Sequence, residues 1–382
     1  MAQTKSPRAQ EFDSLVIGAG LSGLLAAHSL ESTGRHVVLI EALDTVGGAS
    51  RPAQTKAGVI DHGLKLMPAT EAANTVLNWL ELQLDEKIER REIEAAPVNY
   101  DGKFKPYVGF GDKSNDKPVE TAAEVEAYAM DRRLLLSSTP KDWVQKLAST
   151  FTGTLLTQSI ATKMTVDDSF VIETLVNGTK RITAREIVYA APPRLLPSLL
   201  GDAAVPPRIR QKLLKGDFWT SVNLDLIHST PVTDSESVHI LKGANEEPTI
   251  GLFHPITEAG VQVSQWLTLI PSDQIDEEEL VAGALKQIKR QIKRAYETAF
   301  DHVVQERIMV VPASHGTVAG AFDPPFRLPK IDNLWLASAL FQTERNLLGA
   351  LLQVKNLVAE IGELQSSEAD GNVRLNPLSA EA

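Results

Sequence analysis

One stretch near the start of the chain, residues 13–51, constrains the fold more than any other. Apolar residues 15–17 predict a strand, and Gly18, Gly20 and Gly23 follow it in the order Gly-x-Gly-x-x-Gly. Residues 21–30 are good helix formers, and a second apolar run then ends on Glu41, 23 residues after Gly18. A strand, a glycine turn, a helix, a strand and a terminal acid together predict a dinucleotide-binding βαβ unit.

Each of the three glycines has a physical role in this unit. Gly18 permits a sharp turn out of the strand, Gly20 lets a pyrophosphate approach the backbone, and Gly23 allows the helix to pack closely. The N–H groups of Leu21 and Ser22 open the helix, where the partial positive charge favours phosphate. The alternative, a plain glycine turn in an α/β domain, would not require the second strand and its acid.

The acid at the end of the second strand selects among nucleotides. Glu41 can accept hydrogen bonds from both ribose hydroxyls, and its charge would repel a 2′-phosphate. Ala42 follows it and completes this part of the predicted cofactor-binding set.

Two further motifs follow the βαβ unit, a Gly-Gly pair at 47–48 and an Asp-x-Gly turn at 61–63. This succession resembles the amine oxidase, protoporphyrinogen oxidase and phytoene desaturase superfamily of FAD proteins. In that superfamily the Gly-Gly loop lies against the FAD pyrophosphate, and the Asp-x-Gly turn passes near the flavin. The resemblance implies that Gly48, Ala49 and Arg51 contact the cofactor. The family arginine that directly follows the Gly-Gly pair is Ala49 here, and Arg51 is the nearest arginine.

The resemblance extends to three later segments. Residues 186–193 are similar to the strand that returns to the FAD domain, and the strand before it implies a backbone contact with adenine at Ala161. The closing strand, loop and helix resemble the segment that ends the domain. There the family places an acid at Ser338 and a backbone N–H near the flavin at Leu347.

The implied fold class is α/β, with a discontinuous Rossmann-type FAD-binding domain and an α+β substrate domain built on an antiparallel sheet. Alternating residues in the runs 221–227 and 261–270 favour that antiparallel sheet. Residues 119–136 and 140–150 predict helices. We assign residues 12–68, 151–200 and 303–365 to the FAD domain, 69–150 and 201–302 to the substrate domain, and 1–11 and 366–382 to a disordered lead and tail.

The resemblance implies hydride transfer from a small or apolar substrate to flavin N5, at a CH–NH or CH–CH group. Amine oxidases hold the amine between two aromatic rings, and one of those positions is Asn346 here. No catalytic residue is assigned, and Lys65 lies near the flavin by motif only. The alternative is an FAD-binding protein without turnover that acts as a structural or regulatory partner.

Two sets of residues in the second half of the chain keep two interpretations open. Trp219, Phe253, His254 and Trp266 are candidates to face the flavin, although core packing is the default for such side chains. Residues 274–300 predict an amphipathic helix whose other face carries five cations. That face is either solvated or a surface that meets a membrane or an anionic partner.

Composition excludes several classes of function. The 382 residues carry a formal net charge of −11, which argues against nucleic acid as a partner. The chain has no cysteine, so FAD could not be linked to a cysteine, and we expect it to be bound non-covalently. The lack of cysteine also excludes thiol catalysis. No metal-ligand spacing, signal peptide or transmembrane run is evident. We therefore expect a cytoplasmic protein that acts on a small molecule, with the oligomeric state open.

Overall fold

The computed structural model describes residues 9–109, 120–201, 204–214, 216–244, 246–272, 278–318, 322–342, 344 and 346–369. The strands are β1 (Gln10–Ile17), β2 (Val37–Ile40), β3 (Ala53–Thr55), β4 (Gly58–Ile60), β5 (Met67–Pro68), β6 (Arg90–Ile93), β7 (Val98–Tyr100), β8 (Lys103–Lys105), β9 (Arg133–Leu136), β10 (Thr154–Leu156), β11 (Ala161–Asp167), β12 (Phe170–Val176), β13 (Lys180–Tyr189), β14 (Asp217–His228), β15 (Val238–Lys242), β16 (Thr249–Phe253), β17 (Gln262–Pro271), β18 (Val303–Thr317) and β19 (Leu334–Leu336). The helices are α1 (Leu21–Ser32), α2 (Glu71–Leu84), α3 (Glu120–Met130), α4 (Pro140–Thr150), α5 (Leu196–Leu200), α6 (Pro207–Leu214), α7 (Glu278–Ala295) and α8 (Asn346–Ala369).

The first sheet is largely parallel and contains the predicted βαβ unit. Its order is β10-β2-β1-β13-β12-β11, and β19 pairs with the carboxyl end of β13. The strands β10, β2, β1, β13 and β19 run parallel, whereas β11 and β12 are antiparallel. Every residue of β2 is buried, as expected for a strand covered on both faces. This sheet confirms the predicted α/β class.

The chain's first and last helices pack together on one face of this sheet. Leu24 and Leu25 of α1 lie in the same buried cluster as Leu351, Val354 and Leu357 of α8. The apolar spacing of α8 brings the end of the chain back to the glycine turn that opens it. This closure is the arrangement that the resemblance implies.

The second sheet has the order β18-β14-β17-β16-β15-β7-β8 and is antiparallel except between β15 and β7. Leu224, Leu226 and Trp266 pack on one face with Ile288 and Ile292 of α7. Residues one position along each strand point to the opposite face, because side chains alternate across a strand. That opposite face meets the Asp-x-Gly turn, which lies between β4 and β5.

Several boundaries differ from the sequence-based expectation. Residues 133–136 form β9 rather than the end of a helix, because they pair with β5 and β6, and this pairing outweighs their helix propensity. Residues 303–317 pair with β14 along most of its length, so they lie in the second sheet rather than in the first. Trp143 of α4 and Leu77 of α2 lie in the core of α1 and α8, so both helices pack on the first sheet.

The ends of the chain differ from expectation in part. Residues 10 and 11 belong to β1, where Gln10 and Glu11 pair with β13, so the predicted lead is too long. Residues 366–369 continue α8. Residues 1–8 and 370–382, and the predicted start of the helix at 274, lie outside the described residues. Across the described helices, none is both long enough and apolar enough to cross a bilayer.

Candidate functional site

The glycine turn between β1 and α1 leaves an open space at one position only. Gly18 has φ +100°, and a Cβ on it would lie 3.2 Å from the Ala190 carbonyl. A Cβ on Gly23 would lie 1.8 Å from the Gly18 oxygen. These two glycines are therefore required for packing. A Cβ on Gly20 would meet nothing within 4 Å, so Gly20 faces space that a ligand can occupy.

The start of α1 has the properties of an anion site. Gly20 is its N-cap and supplies no side chain to the free N–H groups, and the first turn carries no acid. The N–H groups of Leu21, Ser22 and Gly23 have no partner within the helix, because the first turn lacks preceding carbonyls. Leu21 is buried, whereas Ser22 is half-buried. Backbone N–H groups and the helix dipole together favour phosphate at this position.

The Gly-Gly loop lies directly against the glycine turn. The Gly47 N–H donates to the Ala19 carbonyl at 2.7 Å. A Cβ on Gly48 would lie 3.2 Å from the Gly20 Cα. The two glycine segments therefore approach each other closely, as the resemblance implies. Ala49 and Arg51 follow and are both exposed.

The Glu41 carboxylate lies at the carboxyl end of β2, beside the glycine turn. Its Oε2 accepts from the Ala19 N–H at 2.7 Å, and its Oε1 accepts from the Leu43 N–H at 2.9 Å. Each carboxylate oxygen keeps a further lone pair, so Glu41 can still accept from a ribose. Ala42 beside it is exposed. These bonds position the carboxylate before any ligand binds.

Strand ends from distant parts of the chain meet at this edge of the sheet. The Gly18 N–H donates to the Ile40 carbonyl, and the Ala190 N–H donates to the Ile17 carbonyl. The Ala337 N–H donates to the Tyr189 carbonyl at 2.9 Å. Ligands of open α/β sheets bind in the crevice outside the carboxyl ends of the parallel strands.

The remaining predicted cofactor residues are placed as follows. Ser338 follows β19, and its hydroxyl accepts from the Leu340 N–H at 3.3 Å, which caps a short 3₁₀ helix. Leu347 is half-buried in the first turn of α8. Ala161 opens β11, two residues after Ser159, whose N–H donates to the Glu41 carbonyl at 2.7 Å. Their contacts with a cofactor stay predictions.

A charged cluster at the junction of the two sheets was not predicted from the sequence. We call it the junction cluster, and its members are Asp61, His62, Lys65, Asp225, Gln265 and Arg307. Arg307 donates to Asp225 Oδ2 at 3.2 Å and to His62 Nδ1 at 2.7 Å. Gln265 Nε2 donates to Asp225 Oδ1 at 3.1 Å and to the Asp61 carbonyl at 3.2 Å. Only the Asp-x-Gly turn and Lys65 after it gave a signal in the sequence, because Asp225, Gln265 and Arg307 lie on the second sheet.

Burial perturbs the titratable groups of the junction cluster. Burial, with the charges of Arg307, Arg51 and Lys65, lowers the pKa of His62 to about 4. Burial raises the pKa of Asp225 to about 6, against the hydrogen bond from Gln265 and the charge of Arg307. Burial also lowers the pKa of Lys65, which Asp61 and Asp225 partly oppose. Perturbed groups of this kind concentrate at functional sites.

The four aromatic and histidine candidates divide between the two faces of the second sheet. Phe253 and Trp266 pack edge to face at 5.4 Å in the core under α7. They therefore point away from the first sheet. His254 accepts or donates at 2.9 Å with Gln265, and so lies next to the junction cluster. Trp219 packs with Leu64 and other core residues.

The cations of α7 are mostly paired with nearby acids. Arg290 donates to Glu246 at 2.6 Å, and Lys289 pairs with Glu306 at 2.5 Å. Arg294 pairs with Asp101 at 2.7 Å. These residues line an open groove of about 600 Å³ with Phe300. The pairing supports the solvated-face interpretation over an anion-binding surface.

The comparison with family models concerns the first part of the chain. Residues 16–81 match a family model described as an NAD(P)-binding Rossmann-like domain. No curated protein sequence matches the chain.

Solved structures resemble the whole chain in fold. The cyclohexylamine oxidase from Brevibacterium oxydans IH-35A is 14% identical, with a TM-score of 0.68 over 93% of this chain and 99% of that one. A wild-type putrescine oxidase bound to putrescine is 15% identical, with a TM-score of 0.64 and the same coverage. A protein assigned as a protoporphyrinogen oxidase from Exiguobacterium sp. 255-15 is 13% identical, with a TM-score of 0.66, again over 93% and 99%. At these identities the likeness concerns the fold alone: the chain shares the fold of these three solved proteins, with the glycine turn, the Gly-Gly loop and the closing helix in place.

Proposed function

We propose that this protein is an FAD-dependent oxidoreductase. The observation that carries the proposal is the open position at Gly20, bounded by the start of α1 and by the Gly-Gly loop. Helix N–H groups and a backbone without side chains suit a dinucleotide pyrophosphate. The solved structures with the same fold include two proteins named as amine oxidases.

The residues at the carboxyl edge fit FAD in a specific way. Glu41 would accept from the adenosine ribose, and the N–H groups of Leu21 and Ser22 would hold the diphosphate. Arg51, exposed beside the Gly-Gly loop, would add a cation to it. The flavin half would extend toward Ser338 and Leu347. With no cysteine in the chain, non-covalent binding is proposed.

The chemistry proposed is the oxidation of a small or apolar substrate at a CH–NH or CH–CH group. When bound, FAD would supply the redox chemistry, with N5 as the hydride acceptor. The protein's own residues would position the substrate and exclude water where the second sheet meets the Asp-x-Gly turn. The fit of that turn against the sheet is tight, since a Cβ on Gly63 would lie 2.7 Å from Asn223 Oδ1.

The second candidate is an FAD-binding protein without turnover. It is favoured by one observation, the position of Ser338, whose hydroxyl caps a short helix where the family has an acid. A serine makes fewer and uncharged contacts with a ribityl chain than a carboxylate would.

The absorbance spectrum of the purified protein tests the proposal. A yellow protein with flavin bands, which releases FAD on denaturation and takes it up again in preference to NAD⁺, is the expected result. Anaerobic bleaching by an added amine or polyene, reversed by air, would favour the oxidase over the binding protein. A colourless protein that does not bind added FAD would refute both candidates.

A further inference from the structure

Three of the four carboxylate oxygens of the junction cluster are already engaged within the protein. Asp225 is fully buried, and it accepts from Gln265 at one oxygen and from Arg307 at the other. Asp61 Oδ1 accepts at 3.0 Å from the backbone N–H of Lys141, at the start of α4. Both carboxylates therefore serve the structure, one by neutralising an arginine and the other by stabilising a helix terminus.

The contact between Arg307 and His62 determines which nitrogen of the imidazole carries its proton. A guanidinium can only donate, so His62 Nδ1 must accept the 2.7 Å hydrogen bond. The neutral ring then carries its proton on Nε2. His62 is only 7% exposed, and in the described part of the chain Nε2 has no hydrogen-bond partner. Because Nε2 is not among the fully buried side-chain atoms, a ligand or a water molecule can reach it and accept from it.

A second donor lies three residues further along the same segment. The ammonium of Lys65 makes no hydrogen bond or ion pair with any described residue, although the residue is half-buried. Its charge is near enough to His62 to lower the pKa of that imidazole. Asp61 and Asp225 act on this ammonium through their charge alone, so its N–H groups remain available to a further acceptor.

The donors of the junction cluster that have no acceptor in the described part of the chain are thus the Lys65 ammonium and the His62 Nε2–H. We propose that the junction cluster binds a carboxylate group of the substrate, with the Lys65 ammonium and the His62 Nε2–H as its two donors. A carboxylate is acceptor-only and suits two neighbouring donors, one of them charged. A primary ammonium at the same place would instead meet two donors, one of them with the same charge. This inference rests on the proposed function, because it names the substrate class at the expected flavin site.

Calorimetric titration of the purified protein with three ligands of similar shape tests the inference. Benzoate is the anionic probe, benzamide the neutral one and benzylamine the cationic one. We expect benzoate to bind about 10-fold or more tightly than either, which corresponds to at least one charged hydrogen bond. The Lys65→Met variant should weaken benzoate binding by about 10-fold or more, and Lys65→Arg should restore it to within about 3-fold.

The matched control is Lys163→Met, which removes an exposed lysine on β11 and should leave benzoate binding unchanged. Benzoate binding no tighter than benzamide binding would overturn the inference. That comparison uses the unaltered protein, so it holds even if Lys65→Met does not fold. An unchanged affinity in a folded Lys65→Met variant would also overturn it.

Flavin absorbance in the same samples tests the proposed function separately. A flavin-containing protein that prefers benzamide or benzylamine overturns the carboxylate site and leaves the oxidoreductase proposal standing. A colourless protein that does not take up FAD but binds benzoate through Lys65 supports the carboxylate site and refutes the oxidoreductase.

Discussion

The Gly20→Ala substitution is expected to weaken cofactor binding without changing the stability of the folded apoprotein. Gly20 has φ −70° and ψ −179°, a conformation that alanine adopts freely. Its Cβ would meet nothing within 4 Å in the protein. The free energy of unfolding of the apoprotein should therefore change by less than about 0.5 kcal/mol in Gly20→Ala.

The same methyl group would occupy the space in which the diphosphate approaches the backbone. Losing one hydrogen bond to a charged group costs about 1.5–3 kcal/mol, which is about 10- to 150-fold in affinity. The dissociation constant of FAD, from the quenching of its fluorescence on titration with apoprotein, measures this loss. Urea unfolding of the same apoprotein measures stability.

Two other glycines provide controls for this measurement. Gly283→Ala in α7 also meets nothing within 4 Å, and it should leave the affinity for FAD unchanged while stabilising the helix by about 0.5–1 kcal/mol. Gly23→Ala places its Cβ 1.8 Å from the Gly18 oxygen and should destabilise the apoprotein by about 2–3 kcal/mol. If Gly20→Ala binds FAD as tightly as the unaltered protein, the diphosphate does not lie there and the reasoning fails.

Three further predictions concern stability. Burial lowers the pKa of His239 to about 4. Acid therefore protonates the unfolded state first, and the free energy of unfolding falls as the pH drops below about 6.5. The His239→Phe variant should reduce the loss of unfolding free energy between pH 7 and pH 5 by about 2 kcal/mol. The Arg307→Met substitution leaves the buried Asp225 unpaired and should lower the free energy of unfolding in urea by about 3 kcal/mol. Adding Asp225→Asn should recover more than half of this loss, and no recovery would contradict the account. Gly63 has φ +76°, and a Cβ on it would lie 2.7 Å from Asn223 Oδ1. The Gly63→Ala substitution should therefore lower the thermal midpoint by an amount that corresponds to about 1–3 kcal/mol of unfolding free energy. An unchanged midpoint would contradict the contact.

The βαβ unit could be predicted from the sequence because its signals are local. The strand, the three glycines and Glu41 lie within a short stretch, and each residue type follows from backbone geometry or from phosphate and ribose chemistry. The alternating runs predicted an antiparallel second sheet for the same reason, since a strand with one buried face repeats every two residues.

The partners of these elements could not be predicted in the same way. Residues 133–136 are as compatible with a helix as with a strand, and pairing with β5 and β6 decides between them. β18 follows the amphipathic helix in sequence, where the expected domain boundary falls at residue 303, yet it pairs with β14 in the second sheet. Propensity is a weak guide wherever long-range pairing competes with it.

The sequence by itself determined the glycine cradle, the acid at the end of the second strand and the closing helix, because each depends on neighbours along the chain. Only the tertiary structure decided the junction cluster. His62 and Arg307 are 245 positions apart, and their hydrogen bond forms because one face of the second sheet packs against the Asp-x-Gly turn. Such a contact leaves no periodicity or spacing in the sequence, since the distance between its members along the chain is set by the fold and not by any local geometry.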